Sequence, residues 1–379
     1  MELLGILAFV LALLISVMFH EFGHFITARK FGMRVSEFFV GFGKRIWSIT
    51  RGETEYGVKA IPAGGYCRIE GMTPTDEMPD GEENRAFWRA SSLKKLVVLS
   101  AGSFAHFLLG FLLIFLIFFG VGYNALMPTI VKVEPQSPAA TAGILPGDTV
   151  LSINGKKVNN WQEDMKAISA SGGKALTLLI DRGGNQVTIK ATPEYIADEK
   201  RYRLGIYSEI GTQRDSFGEA ISASADATWL LTRESAKSLV ALPTKVPQLI
   251  RETFMGEKRD PNGLVGVVGA ARVSGQAVSS DRLTGNERLS TFIFLVASLN
   301  IFVGIFNMLP ILPLDGGHVA VAIADEIRAL FARLRKRPRP APINVNVLTP
   351  ITGVVVVLLI ILTSVLLIAD IINPVSLNL

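Results

Sequence analysis

A single cysteine, Cys67, stands in a chain of 379 residues, so no disulfide can form within it. Histidine is nearly as scarce, with four in all. A basic leader is missing as well: Glu2 stands where a secretory signal carries positive charge, and the apolar run behind it continues from Leu3 to about Ala28. That exceeds the roughly 7–15 apolar residues of a cleaved signal, so the run is expected to remain as a membrane span. Charge is thin in three further blocks, Leu96 to Tyr123, Leu289 to Leu314 and Thr349 to Ile372. Each reaches the roughly 20 residues that cross a bilayer, which argues against an ordinary soluble protein and predicts four transmembrane helices.

The net charge of +5 is distributed beside these blocks rather than gathered in one patch, so nucleic acid is not an expected partner. Arg29, Lys30, Arg34, Lys44 and Arg45 follow the first block, and Arg89, Lys94 and Lys95 precede the second. Arg328, Arg333, Arg335, Lys336, Arg337 and Arg339 follow the third. Basic loops stay in the cytoplasm, which puts both termini, and the stretch from about Asn124 to Arg288, outside.

Two of the four histidines fall in His20-Glu21-Phe22-Gly23-His24, inside the first block. On a helix His20 and His24 share one face and can hold one zinc ion, with Glu21 beside it to handle protons. So short a pattern arises by chance in soluble helices. In a spanning helix a carboxylate costs about 2.5–3.5 kcal/mol to insert, so Glu21 needs a compensating partner there. The third block runs out through Asn307-Met308-Leu309-Pro310-Ile311-Leu312-Pro313-Leu314 into Asp315-Gly316-Gly317. Two prolines break a helix within the membrane, which is tolerated only where backbone lines a cavity. Asp315 is then free to coordinate metal and Asn307 to bond a substrate strand, although Asp-Gly-Gly alone is also an ordinary turn. The first and third blocks run in the same direction and carry their motifs toward the same end, so the two half-sites are expected to meet. His106, in the second block, is either a further metal or proton-relay group or a histidine hydrogen-bonded between helices.

Arg45 to Ile49 and Tyr56 to Ile61 read as a hairpin about a glycine turn, with Pro62-Ala63-Gly64-Gly65-Tyr66 ending the pattern. Such a hairpin is either a plain cytoplasmic element or an edge that can hold an extended substrate strand beside the metal. Farther on, Thr129 to Pro193 alternates short strands with two short helices. Strands are expected at Ile130–Val133, Thr149–Ile153, Leu176–Ile180 and Gln186–Lys190, with a helix from Trp161 to Ser169 capped by Asn160. This order, with the turn Ala142-Gly143-Ile144-Leu145-Pro146-Gly147-Asp148, resembles a PDZ domain. Ser216 to Phe254 is helical and amphipathic, and Asn262 to Gln276 reads as a structured linker.

His20-Glu21-Phe22-Gly23-His24, Gly41-Phe42-Gly43, Gly64-Gly65-Tyr66, the PDZ-like module and Asn307 to Gly317 occur in one order. In that order the chain resembles the site-2 protease family of intramembrane zinc metalloproteases. It is most similar to the regulator-of-sigma-E-protease type with a single PDZ domain, as in Gram-positive and actinobacterial members. The resemblance implies zinc bound by His20, His24 and Asp315, with Glu21 as catalytic acid and base. It places Asn307, Gly64, Gly65 and Tyr66 at the substrate and inserts the Gly41–Tyr66 hairpin into the membrane. Its implied substrates are single-span membrane proteins such as anti-sigma factors, first trimmed by another protease and admitted past the PDZ domain. The setting is the lipid bilayer of a bacterial cytoplasmic membrane. Gly102 to His106 departs from the proline and asparagine of many members.

The expected fold is a polytopic α-helical membrane protein with a membrane-associated β-hairpin and an inserted, extracytoplasmic PDZ domain of β-rich α+β type. Its segments are spans at 1–28, 96–123, 289–318 and 349–379, a hairpin region at 29–95 and a PDZ domain at 124–193. An amphipathic helix and linker occupy 194–288 and a basic loop 319–348. Two other functions fit parts of the pattern. A catalytically inactive membrane PDZ scaffold is disfavoured because no ligand position is lost. A zinc channel is disfavoured because the second and fourth blocks hold few acidic or histidine residues.

Overall fold

A computed structural model describes residues 1–260, 263–343 and 345–375. In chain order, helix α1 (Glu2–Lys30) leads into strands β1 (Val35–Arg51) and β2 (Thr54–Ile69), followed by α2 (Ser92–Phe115), whose last turns, Leu116–Val121, are π-helical. A β-rich stretch comes next: β3 (Tyr123–Val133), α3 (Pro138–Thr141), β4 (Thr149–Ile153), β5 (Lys156–Lys157), α4 (Trp161–Ser169), β6 (Leu176–Arg182), β7 (Asn185–Ala191), β8 (Glu194–Ile196), β9 (Arg201–Arg203) and β10 (Ile206–Gln213). Helices α5 (Phe217–Val240), α6 (Leu242–Phe254), α7 (Val267–Ser279), α8 (Gly285–Asn307), α9 (Asp315–Leu334) and α10 (Thr349–Ile372) complete it. The chain divides into a helical unit, Met1–Gly120 with Ser216–Leu379, and a β-rich unit, Val121–Asp215.

In the helical unit α1, α2 with its π-helical end, α8 and α10 are each long and apolar enough to span a bilayer. With no hydrophobic drive between helices in lipid, close backbone contact has to supply the packing, and small residues permit it. A Cβ on Gly23 of α1 would fall 2.4 Å from the Ala101 carbonyl of α2, and one on Gly5 would fall 2.9 Å from Gly275 of α7. A cluster of Phe25, Ala28, Met33, Val35, Phe87, Val98 and Leu99 ties the end of α1 to the base of the hairpin and to α2.

Several expected boundaries move. The hairpin starts at Val35 and β2 runs through Pro62 to Ile69, so Pro62–Tyr66 does not end it. Repeated register shifts between Val40 and Trp47, with Gly41 and Gly43 at positive φ, form bulges that let a proline and two glycines stay within a strand. The segment expected as one span to residue 318 is two helices: α8 stops at Asn307 and α9 begins at Asp315. Most of the expected basic loop 319–348 is therefore helix, to Leu334. The expected linker is largely α7, while Asn262, its first residue, lies outside the described residues.

The β-rich unit reaches Asp215 rather than 193, because β10 pairs with β3 and forms one edge of the sheet β10-β3-β4-β6-β7. Within it the sequence-derived elements recur, including α4 with Asn160 accepting the Glu163 amide. Its core gathers Ile130, Ile144, Val150, Trp161, Ile168, Leu178 and Ile180. Beside this core Asp148 is buried and accepts the Leu145 amide and two Arg182 donors, each at 2.8 Å.

The Arg182 hydrogen bonds hold the Asp148 carboxyl below the usual carboxylate range. A pKa depressed by folding adds stability above the unfolded value, about 3.9, and that stability is lost as pH falls through the folded value. Hydrogen exchange over 121–215 should therefore accelerate as pH drops below about 4, after correction for intrinsic rates. In Arg182→Ala the unit should be less protected at neutral pH, and this acid-dependent component should shrink.

Candidate metal centre

Helix α1 carries His20 and His24 one turn apart, both buried, with Glu21 between them in sequence. Asp315 opens α9, and its position follows from the turn before it. Met308 to Leu314 folds back so tightly that a Cβ on Gly316 would lie 2.3 Å from the Met308 carbonyl, and one on Gly317 2.5 Å from the Leu312 nitrogen. Only glycine at both positions lets the first turn of α9 form against that backbone. The Asp315 carboxylate is thereby brought to the two imidazoles.

The three donors form a nearly equilateral triangle. His20 Nε2 and His24 Nε2 are 3.2 Å apart, and Asp315 Oδ2 is 3.3 Å from each. A tetrahedral ion with bonds of about 2.0–2.1 Å has ligand-to-ligand edges of about 3.3–3.4 Å. The triangle matches that edge and leaves the fourth vertex for water or substrate, so the residues present fit zinc. Asp315 Oδ2 is buried and has no hydrogen-bond donor of its own. His24 Nδ1 lies 2.8 Å from the Val98 carbonyl and must donate to it, which leaves the Nε2 lone pair to face the triangle. Among the described residues no other group of three histidine, cysteine or carboxylate side chains converges in this way.

The remaining sequence-derived candidates differ in their surroundings. Gly65 sits against α1, where a Cβ would be 2.6 Å from Met18 Sδ and 3.6 Å from Glu21 Cγ, so β2 runs alongside the Glu21 carboxyl. Gly64 is at positive φ beside Phe42. The Tyr66 hydroxyl is engaged within the hairpin by Glu37 and Lys59, and its ring stacks 5.8 Å from Phe39. Asn307 is the last residue of α8, and its side chain makes no hydrogen bond among the described residues. His106 is hydrogen-bonded between helices, to Asn300 of α8 at 2.9 Å.

Sequence reasoning marked Gly102 to His106 as a departure from the family pattern and missed what Gly102 touches. A Cβ there would lie 2.3 Å from His24 Nε2 and 2.5 Å from His20 Cε1. The only signal in the chain is a glycine inside a spanning helix. The Val98 carbonyl carries no signal at all, since any residue would supply it.

A triad of two buried imidazoles and a half-buried carboxylate, with a second carboxylate beside it and helices long enough to span a membrane, is the equipment of a membrane metal-dependent hydrolase. The model of peptidase family M50 matches residues 8–359, and the chain belongs to that family. It is 36% identical over 405 residues to zinc metalloprotease Rip1 of Mycobacterium tuberculosis, with 98% of each chain covered. Identity is 33% over 409 residues to zinc metalloprotease Rip1 of Mycolicibacterium smegmatis, again with 98% of each covered. A putative zinc metalloprotease of Campylobacter jejuni is 30% identical over 335 residues, 85% of this chain and 83% of the relative. Among solved structures, the PDZ domain of an SdrC-like protein from Listeria innocua covers 22% of this chain and 93% of its own, at 22% identity and a TM-score of 0.20. The protein is a multi-pass membrane metallopeptidase.

Gly102→Ala tests the packing that aims the histidines. The added methyl meets ring atoms on two sides and the backbone cannot retreat without parting α1 from α2. Zinc content of the purified protein, measured by elemental analysis, should fall well below one equivalent while helical content by circular dichroism is kept.

Proposed function

We propose that this protein is a zinc-dependent intramembrane endopeptidase that cuts the membrane segments of single-span proteins, such as anti-sigma factors, after another protease has trimmed them. The observation that carries the proposal is the 3.2–3.3 Å triangle of His20, His24 and Asp315 with Glu21 alongside. These three residues hold the metal. Zinc bound there acts as a Lewis acid and lowers the pKa of water toward neutrality. Glu21 accepts the proton from the attacking water and returns it to the leaving amine. A substrate helix hides its amides in its own hydrogen bonds and must unwind to be cut. Strand β2, with Gly64 and Gly65 at the Glu21 side of α1, offers an edge for the extended chain, and Asn307 is free to bond its backbone. Phe42, Ile46, Trp47 and Ile61 leave an exposed apolar face on the hairpin, suited to a membrane-inserted element.

By the distribution of basic residues the β-rich unit is extracytoplasmic, and the family to which the chain belongs points to the bacterial cytoplasmic membrane. The unit acts as a PDZ-type module. Its edge strand β10 lies beside α4 over a cavity of about 170 Å³ lined in part by Met165, Ile168, Arg203, Gly205 and Tyr207. An extended chain end fits there by strand addition, which lets the module select trimmed substrates and obstruct intact ones.

Single replacement of His20, His24 or Asp315 by alanine should lower bound zinc toward zero, whereas Glu21→Gln should keep zinc and lose cleavage of a reconstituted substrate by at least about 10²-fold. Full zinc occupancy in Asp315→Ala would sink the proposed third ligand. Removal of residues 121–215, with the flanking chain rejoined, should permit cleavage of untrimmed substrates in proteoliposomes. A shortened enzyme that still binds zinc but cuts only trimmed substrates would move the selecting element elsewhere.

A further inference from the structure

The two histidines of the metal centre are held differently. His24 has its outer nitrogen anchored on the Val98 carbonyl. The corresponding Nδ1 of His20 is buried beside the backbone of Gly102 and makes no well-formed hydrogen bond. Metal-bound imidazoles ordinarily depend on such a bond to fix the ring, so His20 lacks the usual support.

What it has instead is a second imidazole. The His106 ring lies 4.9 Å from the His20 ring, centroid to centroid and tilted by 39°, close enough to restrict its rotation. His106 is itself fixed through a buried chain that crosses three spanning helices. Asn300 Nδ2 donates to the Ser16 hydroxyl at 3.0 Å and to the Val296 carbonyl at 2.8 Å, and the Ser16 hydroxyl donates in turn to the Ala12 carbonyl at 2.8 Å. With both amide protons committed, Asn300 presents its Oδ1 to His106, 2.9 Å away, so His106 Nδ1 must be the donor. Ser16, His106 and Asn300 are each under 5% exposed, so water does not compete for these bonds.

We infer that His106 is the positioning residue for His20: its ring, clamped by Asn300 and Ser16, does by packing what the Val98 carbonyl does for His24 by hydrogen bonding. This rests on His20 and His24 being metal ligands. What meets His20 is the flat face of the ring at position 106 rather than a polar atom, so a flat apolar ring filling the same space between the helices should substitute for it where a smaller amide should not.

The test is zinc affinity of the full-length protein in detergent, by competition with a chromophoric chelator, for wild type, His106→Phe, His106→Asn and His106→Ala. Thermal unfolding of each variant is recorded alongside, and cobalt-substituted samples report ligand geometry by their visible spectra. His106→Ala and His106→Asn should weaken zinc binding about tenfold or more, the lower end for loss of an outer support, and alter the cobalt spectrum. His106→Phe should stay close to wild type in both. Asparagine retaining wild-type affinity, or phenylalanine losing as much as alanine at undiminished thermal stability, overturns the inference. If His106→Ala does not fold, the contrast between phenylalanine and asparagine still decides it. His20→Ala in the same titration tests the metal site separately, so failure of that reading is not mistaken for failure of this one.

Discussion

Three donor atoms from opposite ends of the chain sit within about 3.3 Å of one another, and that convergence is the constraint to which the packing of the helical unit answers. It is met by removing side chains rather than by adding contacts. Gly23 lets α1 touch the α2 backbone, Gly102 leaves room for the imidazoles, and Gly316 with Gly317 lets the break after α8 fold onto the start of α9. Each is a place where one added methyl group would meet backbone or ring atoms at 2.5 Å or less. Helix association in lipid rests on such backbone contact, so stability and ligand placement come from the same residues.

Polar groups within the apolar setting are treated consistently. Ser16, Asn300 and His106 satisfy one another across α1, α2 and α8. Helix α10 buries none of its apolar stretch, yet near its end Asp370 is fully buried, accepting the Gly269 amide at 2.8 Å and facing Arg259 at 3.4 Å. Arg259 in turn lies 3.7 Å from Glu252 of α6. Charges buried this deeply persist only when paired, so this cluster fixes where α10 attaches to α6 and α7.

Much of this was legible in the residues. The four apolar blocks, the helical pairing of His20 with His24, the proline break that frees Asp315, and the strand and helix order from Thr149 to Lys190 are local patterns. Periodicity, capping by Asn160 and the Asn154-Gly155 turn specify them without reference to distant chain. The resemblance to a known family added the roles but not the distances.

Tertiary structure decided the rest, for reasons that lie outside any short window. The extent of the β-rich unit depends on β10 finding β3, a pairing between segments separated by the whole unit. Strand β2 continues through Pro62 because bulges on β1 accommodate it, and the start of α9 is set by backbone folding over Gly316. The contrast between a hydrogen-bonded His24 and a ring-packed His20 is the least visible in sequence. It turns on a main-chain carbonyl, which any residue supplies, and on which of two helices brings its imidazole alongside. The sequence by itself determined which atoms could bind a metal; only the packing of α1, α2, α8 and α9 decided that they share one site, because ligand geometry is set across helices and not along them.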